Sequence, residues 1–138
     1  MKISASIYSD AARPLQAVIA DLVAHQVDLL HIDCNDDLRV FDDIKQIREW
    51  CTIPLDLHII TADPSKYFPY LLENPVEYLT FQVEDLQGEL QIPKEIQGKK
   101  GLALITPTPI SAFEAYAHFD FILIMATIPG QSGGVFDR

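Results

Sequence analysis

The chain has 138 residues, 49% of them hydrophobic, which fits one globular domain over residues 1–138 with a buried core. Its formal net charge is −10 and its pI is near 4.6. Proteins that bind the phosphate backbone are normally basic, so a nucleic-acid partner is not expected. The same acidity argues against an anionic membrane surface.

The cysteines and the amino-terminal residues favour a cytoplasmic location. Cys34 and Cys51 form no C-x-x-C pair, and each is predicted to be a small buried thiol. Ser4 and Ser6 follow Ile3 directly, which does not fit a secretory signal peptide. No apolar run is long enough to span a bilayer, so we expect no membrane contact.

Six short apolar runs, rich in Ile, Leu and Val, are typical of strands buried on both faces of a parallel sheet. The predicted strands are Lys2–Tyr8, Leu29–Cys34, Leu55–Ile60, Tyr78–Val83, Gly101–Ile105 and Phe121–Met125. Stretches with helical spacing of apolar residues lie between them: Pro14–His25, Asp42–Trp50, Pro64–Asn74 after the predicted N-cap Asp63, and Pro109–Ala117. The polar segment Glu84–Lys100 is predicted to be a loop with at most a short helix.

Two α/β architectures fit this alternation of strands and helices. A doubly wound open sheet is disfavoured because no glycine-rich nucleotide fingerprint follows the first strand. A barrel places its chemistry at the carboxyl ends of its strands. Polar residues stand there on the first three strands, namely Ser6, then His31 and Asp33, then His58. We therefore predict a (β/α)8 TIM-barrel type of fold, with about six β/α units present.

The alternation of side chains along a strand places His31 and Asp33 on one face of the second strand, and Asp56 and His58 on one face of the third. Imidazoles and carboxylates are costly to bury unless they are paired or bind a metal. A structural His–Asp hydrogen bond and a satisfied core histidine are the simpler interpretations. The alternative is a metal site, since neighbouring strands lie only about 4.8 Å apart. Such mixed ligands suit Zn²⁺, Fe²⁺, Mn²⁺ or Co²⁺ alike.

A glycine-rich segment, residues 128–134, follows the sixth strand. Glycines let a backbone approach a ligand closely or move as a lid, although an ordinary flexible loop has the same composition. Its place after a strand, at the end of the sheet where barrels carry their chemistry, makes it a candidate substrate loop.

Together these segments resemble the ribulose-phosphate 3-epimerase family over all 138 residues. The distinctive part is a His-x-Asp strand and an Asp-x-His strand, followed by Pro-Gly-x-x-Gly. The matching segments are Ile3-Ser4-Ala5-Ser6-Ile7, His31-Ile32-Asp33, Leu55-Asp56-Leu57-His58, Asp63-Pro64 with Tyr67, Gly101-Leu102-Ala103-Leu104 with Thr108-Pro109, and Met125 through Pro129-Gly130 and Gly133.

The resemblance implies an isomerase that removes and returns the carbon-3 proton of a phosphorylated ketose, such as D-ribulose 5-phosphate, with the help of one divalent metal ion. His31, Asp33 and His58 would be the metal ligands, and Asp33 would also be a catalytic acid/base. The implied substrate-binding residues are Ser6, His58, Met125, Pro129, Gly130 and Gly133. No organic cofactor is implied.

The resemblance also implies parts that this sequence does not match. The family's second acid/base, which is also a metal ligand, is an aspartate on a seventh strand, and its phosphate site follows the seventh and eighth strands. We therefore expect a barrel that is cut short before it closes. Its unpaired strand edges favour association, so a homo-oligomer is kept as an alternative to a monomer. Pocket positions depart from the family at Asn35, Ile60, Ile105 and Ile128. These departures keep a second function open, that of a relative which binds a sugar phosphate without epimerising it.

Overall fold

A computed structural model describes residues 2–10, 12–87, 90–105 and 119–125 of the chain. The described strands form one parallel sheet in which each strand pairs with the next along the chain. They are β1 Ser4–Ser6, β2 Leu29–Asn35, β3 Leu55–Ile60, β4 Tyr78–Gln82, β5 Lys99–Ile105 and β6 Phe121–Met125. This sequential order lacks the reversal of a doubly wound sheet. The sheet curls into a half-barrel, which confirms the predicted fold class.

Helices follow the first three strands: α1 Leu15–Ala24, α2 Val40–Trp50 and α3 Phe68–Glu73. The predicted helix Pro64–Asn74 is divided, because a 3₁₀ turn over Pro64–Tyr67 precedes α3. Pro69 has no backbone N–H, so it fits in the first turn of a helix and not in its interior. Asp63 caps the 3₁₀ turn as predicted, and its carboxylate accepts a hydrogen bond from Ser65 N. The predicted helix Pro109–Ala117 lies outside the described residues.

The described residues of the polar segment Glu84–Lys100 match the predicted loop except at the end of the segment. A 3₁₀ turn over Val83–Asp85 is its short helical part, and β5 begins at Lys99 instead of Gly101. Gly98 precedes β5 with a φ of 99°, and a Cβ atom there would lie 2.2 Å from the carbonyl oxygen of Val76. Glycine is therefore required where the chain turns into β5 beside β4.

The two faces of the sheet have different compositions. Residues such as Leu30, Ile32 and Leu57 are fully buried and belong to one hydrophobic cluster with residues of the helices, including Ile19 and Ile44. The alternate residues His31, Asp33, Asp56 and His58 point to the opposite, inner face, which they share with the apolar Leu29 and Ile60. The hydrophobic core thus lies between the sheet and its helices. In the part of the chain that the structure describes, no helix is both long enough and apolar enough to cross a membrane.

The two cysteines differ in their surroundings. Cys34 is 1% exposed on the helix side of β2, and its thiol donates a hydrogen bond to the hydroxyl of Tyr67 over 3.6 Å. Cys51 follows α2 and is only half-buried, so the prediction of two buried thiols was wrong for this residue. The end of a helix packs less completely against the sheet than the middle of a strand.

This difference predicts the order in which the two thiols react. We expect iodoacetamide to modify Cys51 in the folded protein and Cys34 only after unfolding in urea, as followed by peptide mass mapping. Burial of Cys34 raises the pKa of its thiol and leaves little reactive thiolate. The variant Cys51→Ser, which keeps Cys34 alone, is the control and should take up label only in denaturant. Rapid labelling of native Cys51→Ser protein would contradict the packing of β2.

Candidate functional site

The histidines and aspartate predicted from the sequence converge on the inner face of the sheet. In the pairing of β2 with β3, Asp33 stands opposite His58, and His31 stands opposite Asp56. One carboxylate oxygen, Asp33 Oδ1, lies 2.9 Å from His31 Nε2 and 3.1 Å from His58 Nδ1. The ligand atoms of His31, Asp33 and His58 all lie within 4.8 Å of one another. The register of two neighbouring strands therefore builds the cluster.

Each imidazole has a second partner on the side away from Asp33. His31 Nδ1 lies 3.0 Å from Asp56 Oδ2, which also accepts a hydrogen bond from the hydroxyl of Ser4 over 3.2 Å. His58 Nε2 lies 2.6 Å from Gln82 Oε1. The Gln82 amide nitrogen in turn donates to the carboxylate of Glu84. The inner face thus carries a continuous chain of polar contacts from Ser4 on β1 to Glu84 after β4.

Burial and charge make this a site for a positive charge. His58 is fully buried, and the side chains of His31 and Asp33 are 19% and 22% exposed. Burial lowers the pKa of His31, but hydrogen bonds to Asp33 and Asp56 outweigh it and raise that pKa to about 10. Burial raises the pKa of Asp33, but the hydrogen bonds with the two imidazoles hold it well below its ordinary value.

The donor set fits a divalent transition-metal ion. Two imidazole nitrogens and a carboxylate oxygen face a common point, and such mixed ligands suit zinc, iron, manganese and cobalt. The other nitrogen of each ring already has an oxygen partner, on Asp56 or Gln82. Oxygen partners of this kind orient the ring of a metal-binding histidine. His31, Asp33 and His58 could therefore hold one ion, with Asp56 and Gln82 supporting the rings.

The other predicted site residues are placed differently. Ser6 pairs in register with His31 at the end of β1, and it borders the cluster half-buried. Met125 ends β6, in register with Ile105, four strands away from His31 and Asp33 in the sheet order. The substrate loop predicted at Pro129, Gly130 and Gly133 lies outside the described residues.

A second polar cluster ties the loops after β2 and β3 together beside the site. The carboxylate of Asp36 accepts hydrogen bonds from the Thr61 hydroxyl over 2.8 Å and from the Tyr67 hydroxyl over 2.9 Å. Lys66 Nζ lies 2.6 Å from the same oxygen. Tyr67 is fully buried, so this contact links the loop to the core. The cluster fixes the carboxyl ends of the two strands that carry the imidazoles.

Two cavities lie at opposite ends of the strands. One, of about 440 Å³, opens beside Asp33 between β2 and α2, and its charged lining is mainly acidic: Asp33, Asp37, Asp42 and Asp43 with Arg39. The other, of about 980 Å³, lies at the amino ends of the strands and is lined by none of the site residues. Chemistry in barrels takes place at the carboxyl ends, where the smaller cavity lies, and the lining of that cavity includes Asp33 but neither imidazole.

The sequence analysis missed Gln82 and Glu84 and gave Asp56 no role. The pairing registers place Asp33 opposite His58, His58 opposite Thr80, and Gln82 one alternation further along β4. A signal was present, since Gln82 lies near the carboxyl end of the predicted strand Tyr78–Val83, as the predicted site residues of the first three strands do. A single glutamine there also resembles an ordinary strand end, so the pattern did not single it out.

Comparison with known proteins gives a consistent result. The sequence model of the "Ribulose-phosphate 3 epimerase family" matches residues 2–138. A ribulose-phosphate 3-epimerase of Aquifex aeolicus is 29% identical over 119 residues, which cover 79% of this chain and 54% of that protein. A ribulose-phosphate 3-epimerase of Bacillus subtilis is 27% identical over an alignment 146 residues long, which covers 99% of this chain and 67% of that protein.

The chain thus spans about half to two thirds of the length of these curated relatives. The family match nevertheless extends over almost the whole chain, including the strands that carry His31, Asp33 and His58. By sequence and by architecture, the chain belongs to the ribulose-phosphate 3-epimerase family.

Proposed function

We propose that this chain supplies the metal-binding strands of a sugar-phosphate 3-epimerase that interconverts D-ribulose 5-phosphate and D-xylulose 5-phosphate, or close analogues. Two observations support the proposal: family membership and the approach of one Asp33 oxygen to both imidazoles. The second carries more weight, because it places a carboxylate and two imidazoles at the catalytic end of a barrel sheet.

The reaction requires a base beside carbon 3 of the sugar. The carbon-3 proton is acidified by the neighbouring ketone, and its removal leaves an enediolate whose charge must be stabilised. The chemistry that a divalent ion held by His31, Asp33 and His58 supplies is stabilisation of this negative charge. Hydrogen bonds with the two imidazoles lower the pKa of Asp33, so its carboxylate is ionised at neutral pH. The assignment of this carboxylate as the base rests on the family resemblance, since a low pKa by itself weakens a base.

The remaining roles are proposed from the family resemblance and from position. Ser6 contacts the substrate, which agrees with its place in register with His31 on the strand next to the cluster. Met125 packs beside the reacting carbon, and Pro129, Gly130 and Gly133 cover the sugar phosphate. The acidic lining of the cavity beside Asp33 repels a phosphate, so we expect the phosphate to bind at another part of the barrel mouth.

Epimerisation needs two acid/base groups, because the proton leaves one face of carbon 3 and returns to the other. Within the described residues the cluster of potential metal ligands contains one carboxylate, that of Asp33. Asp33 by itself can exchange the carbon-3 proton of one epimer with solvent, whereas net epimerisation requires a second acid. The two activities can therefore be measured separately.

The first prediction concerns the metal. Protein purified without chelator should contain about one equivalent of a divalent transition metal by elemental mass spectrometry. His58→Ala removes a ligand and should weaken binding by more than the roughly 10–100-fold typical of changes to supporting residues. His25→Ala is the matched control, since His25 is exposed after α1 and should leave the metal content unchanged. Equal metal content in both variants would refute the site.

The second prediction concerns the proton. In deuterated water, the metal-loaded protein should exchange the carbon-3 proton of D-ribulose 5-phosphate or D-xylulose 5-phosphate, as detected by proton NMR. Asp33→Asn removes the proton acceptor and should slow exchange by roughly 10²–10⁴-fold. If the wild-type protein binds metal and sugar phosphate but exchanges neither epimer, the chain is instead a binding relative without epimerase chemistry. The altered pocket residues Asn35 and Ile60 favour this second function.

A further inference from the structure

The larger of the two cavities lies at the end of the strands opposite to the metal-ligand cluster. This amino-end cavity has a volume of about 980 Å³ and is lined by residues of α2, of the segment from Glu73 to Tyr78, and around the amino ends of β1, β2, β3 and β5. That volume is near the upper end of the range for small-molecule sites. None of the residues assigned to the epimerase chemistry lines the cavity, so a ligand bound there would be additional to the sugar phosphate.

The amino-end cavity is rich in cations although the chain is acidic. The chain has a net charge of −10 and only ten Lys and Arg residues. Four of these ten residues line the amino-end cavity, together with three carboxylates. They are Lys2, Lys45, Arg48 and Lys99, with Asp28, Glu73 and Glu77. The cavity beside Asp33, in contrast, has four carboxylates and one cation in its lining. An anion is therefore attracted to the amino-end cavity more than to the cavity beside Asp33.

An ion pair fixes the wall of the amino-end cavity. Arg48 Nη2 donates hydrogen bonds to the carbonyl oxygen of Pro75 over 2.9 Å and to Glu77 Oε2 over 3.0 Å. The same Glu77 oxygen accepts a hydrogen bond from Leu55 N over 2.6 Å. The carbonyl oxygen of Glu77 accepts another from Lys99 N over 2.9 Å. Glu77 thus joins α2 to the amino ends of β3 and β5, and the wall is formed before any ligand binds.

The lysines of the amino-end cavity keep their charge available. In the described part of the chain, no carboxylate forms an ion pair with Lys2, Lys45 or Lys99. Of the three carboxylates in the lining, Glu77 is engaged in the ion pair described above. Asp28 accepts a hydrogen bond over 2.6 Å from the backbone N–H just before β1. One carboxylate is thus left against three ammonium groups, and lysine binds phosphate as a point charge.

The rest of the lining is largely apolar. It includes the buried Ile44 and Val76 and the half-buried Leu29, Pro54 and Tyr78. A small inorganic ion would leave this surface in contact with water, whereas an organic ligand would cover it, and removal of apolar surface from water favours binding. The lining therefore favours a ligand that has both an anionic group and an apolar or ring-shaped body.

We propose that the amino-end cavity is a binding site for an organic phosphate whose body is apolar or a flat ring system. The phosphate contacts the lysines that have no carboxylate partner, and the body packs on the apolar wall that includes Ile44 and Tyr78. This inference does not rest on the proposed epimerase function, because the two cavities lie at opposite ends of the strands and share no lining residue.

ADP is a suitable probe, because it combines a diphosphate with a flat ring system. In calorimetry, metal-free protein in the presence of EDTA should bind ADP more tightly than pyrophosphate, which lacks the body, and more tightly than adenosine, which lacks the charge. In proton–nitrogen NMR spectra of the same samples, the amide signals of Lys45, Arg48 and Lys99 should shift on addition of ADP. The amide signals of His31 and Asp33, at the other end of the strands, should stay in place.

Two variants that each remove one charge test the role of the lysines. Lys45→Gln and Lys99→Gln should each weaken ADP binding by roughly 2–5-fold, because each removes one exposed ion pair with the phosphate. Lys94→Gln is the matched control, since Lys94 is exposed, carries the same charge and lies outside the lining. The proposal is overturned if ADP binds no more tightly than pyrophosphate or adenosine, if it shifts the signals of His31 and Asp33 instead, or if all three variants bind ADP equally.

Discussion

The site depends on the register between β2 and β3, which places Asp33 opposite His58. Shifting β3 by one residue would turn His58 toward the helices and Leu57 toward the inner face. The helix side is packed with fully buried Leu and Ile, so an imidazole there would lack polar partners. The hydrophobic core therefore enforces the register, and the register in turn brings Asp33 Oδ1 within hydrogen-bond distance of both rings.

Part of the inner face is both polar and fully buried, and its stability depends on complete pairing of its hydrogen-bonding groups. His58, Thr80 and Gln82 are fully buried. Among the described residues, every buried side-chain nitrogen or oxygen atom has a hydrogen-bond partner. Thr80, for example, donates to the carbonyl oxygen of Leu57. Removing one member of such a chain leaves a buried donor or acceptor without a partner, which typically lowers the free energy of unfolding by about 1–3 kcal/mol. The groups that form the site thus also contribute to the stability of the sheet.

Much of this arrangement could be predicted from the sequence because it follows from periodicity. Alternation along a strand predicted that His31 and Asp33 share a face, and the alternation of apolar runs with helical segments predicted parallel strands. The division of the helix after β3 was not predicted, since it depends on the geometry around Pro69. The contacts of Gln82 could not be predicted from the periodicity of the sequence. One strand end resembles another until the pairing of β3, β4 and the following turn shows that its amide links His58 to Glu84.

The unequal surroundings of the two histidines explain how the cluster tolerates its own charges. Asp33 and Asp56 both face His31, and their hydrogen bonds raise its pKa to about 10 although burial lowers it. Without a metal ion, a proton on His31 supplies the positive charge that these carboxylates require. His58 faces only one of the two carboxylates and has the neutral amide of Gln82 on its other side. Positive charge on His31 is thus favoured at the partly exposed end of the cluster, whereas the fully buried ring contacts one carboxylate and one neutral amide. His31 is the more exposed ring, so an ion bound at this site would replace its proton on the side of the cluster nearer to solvent.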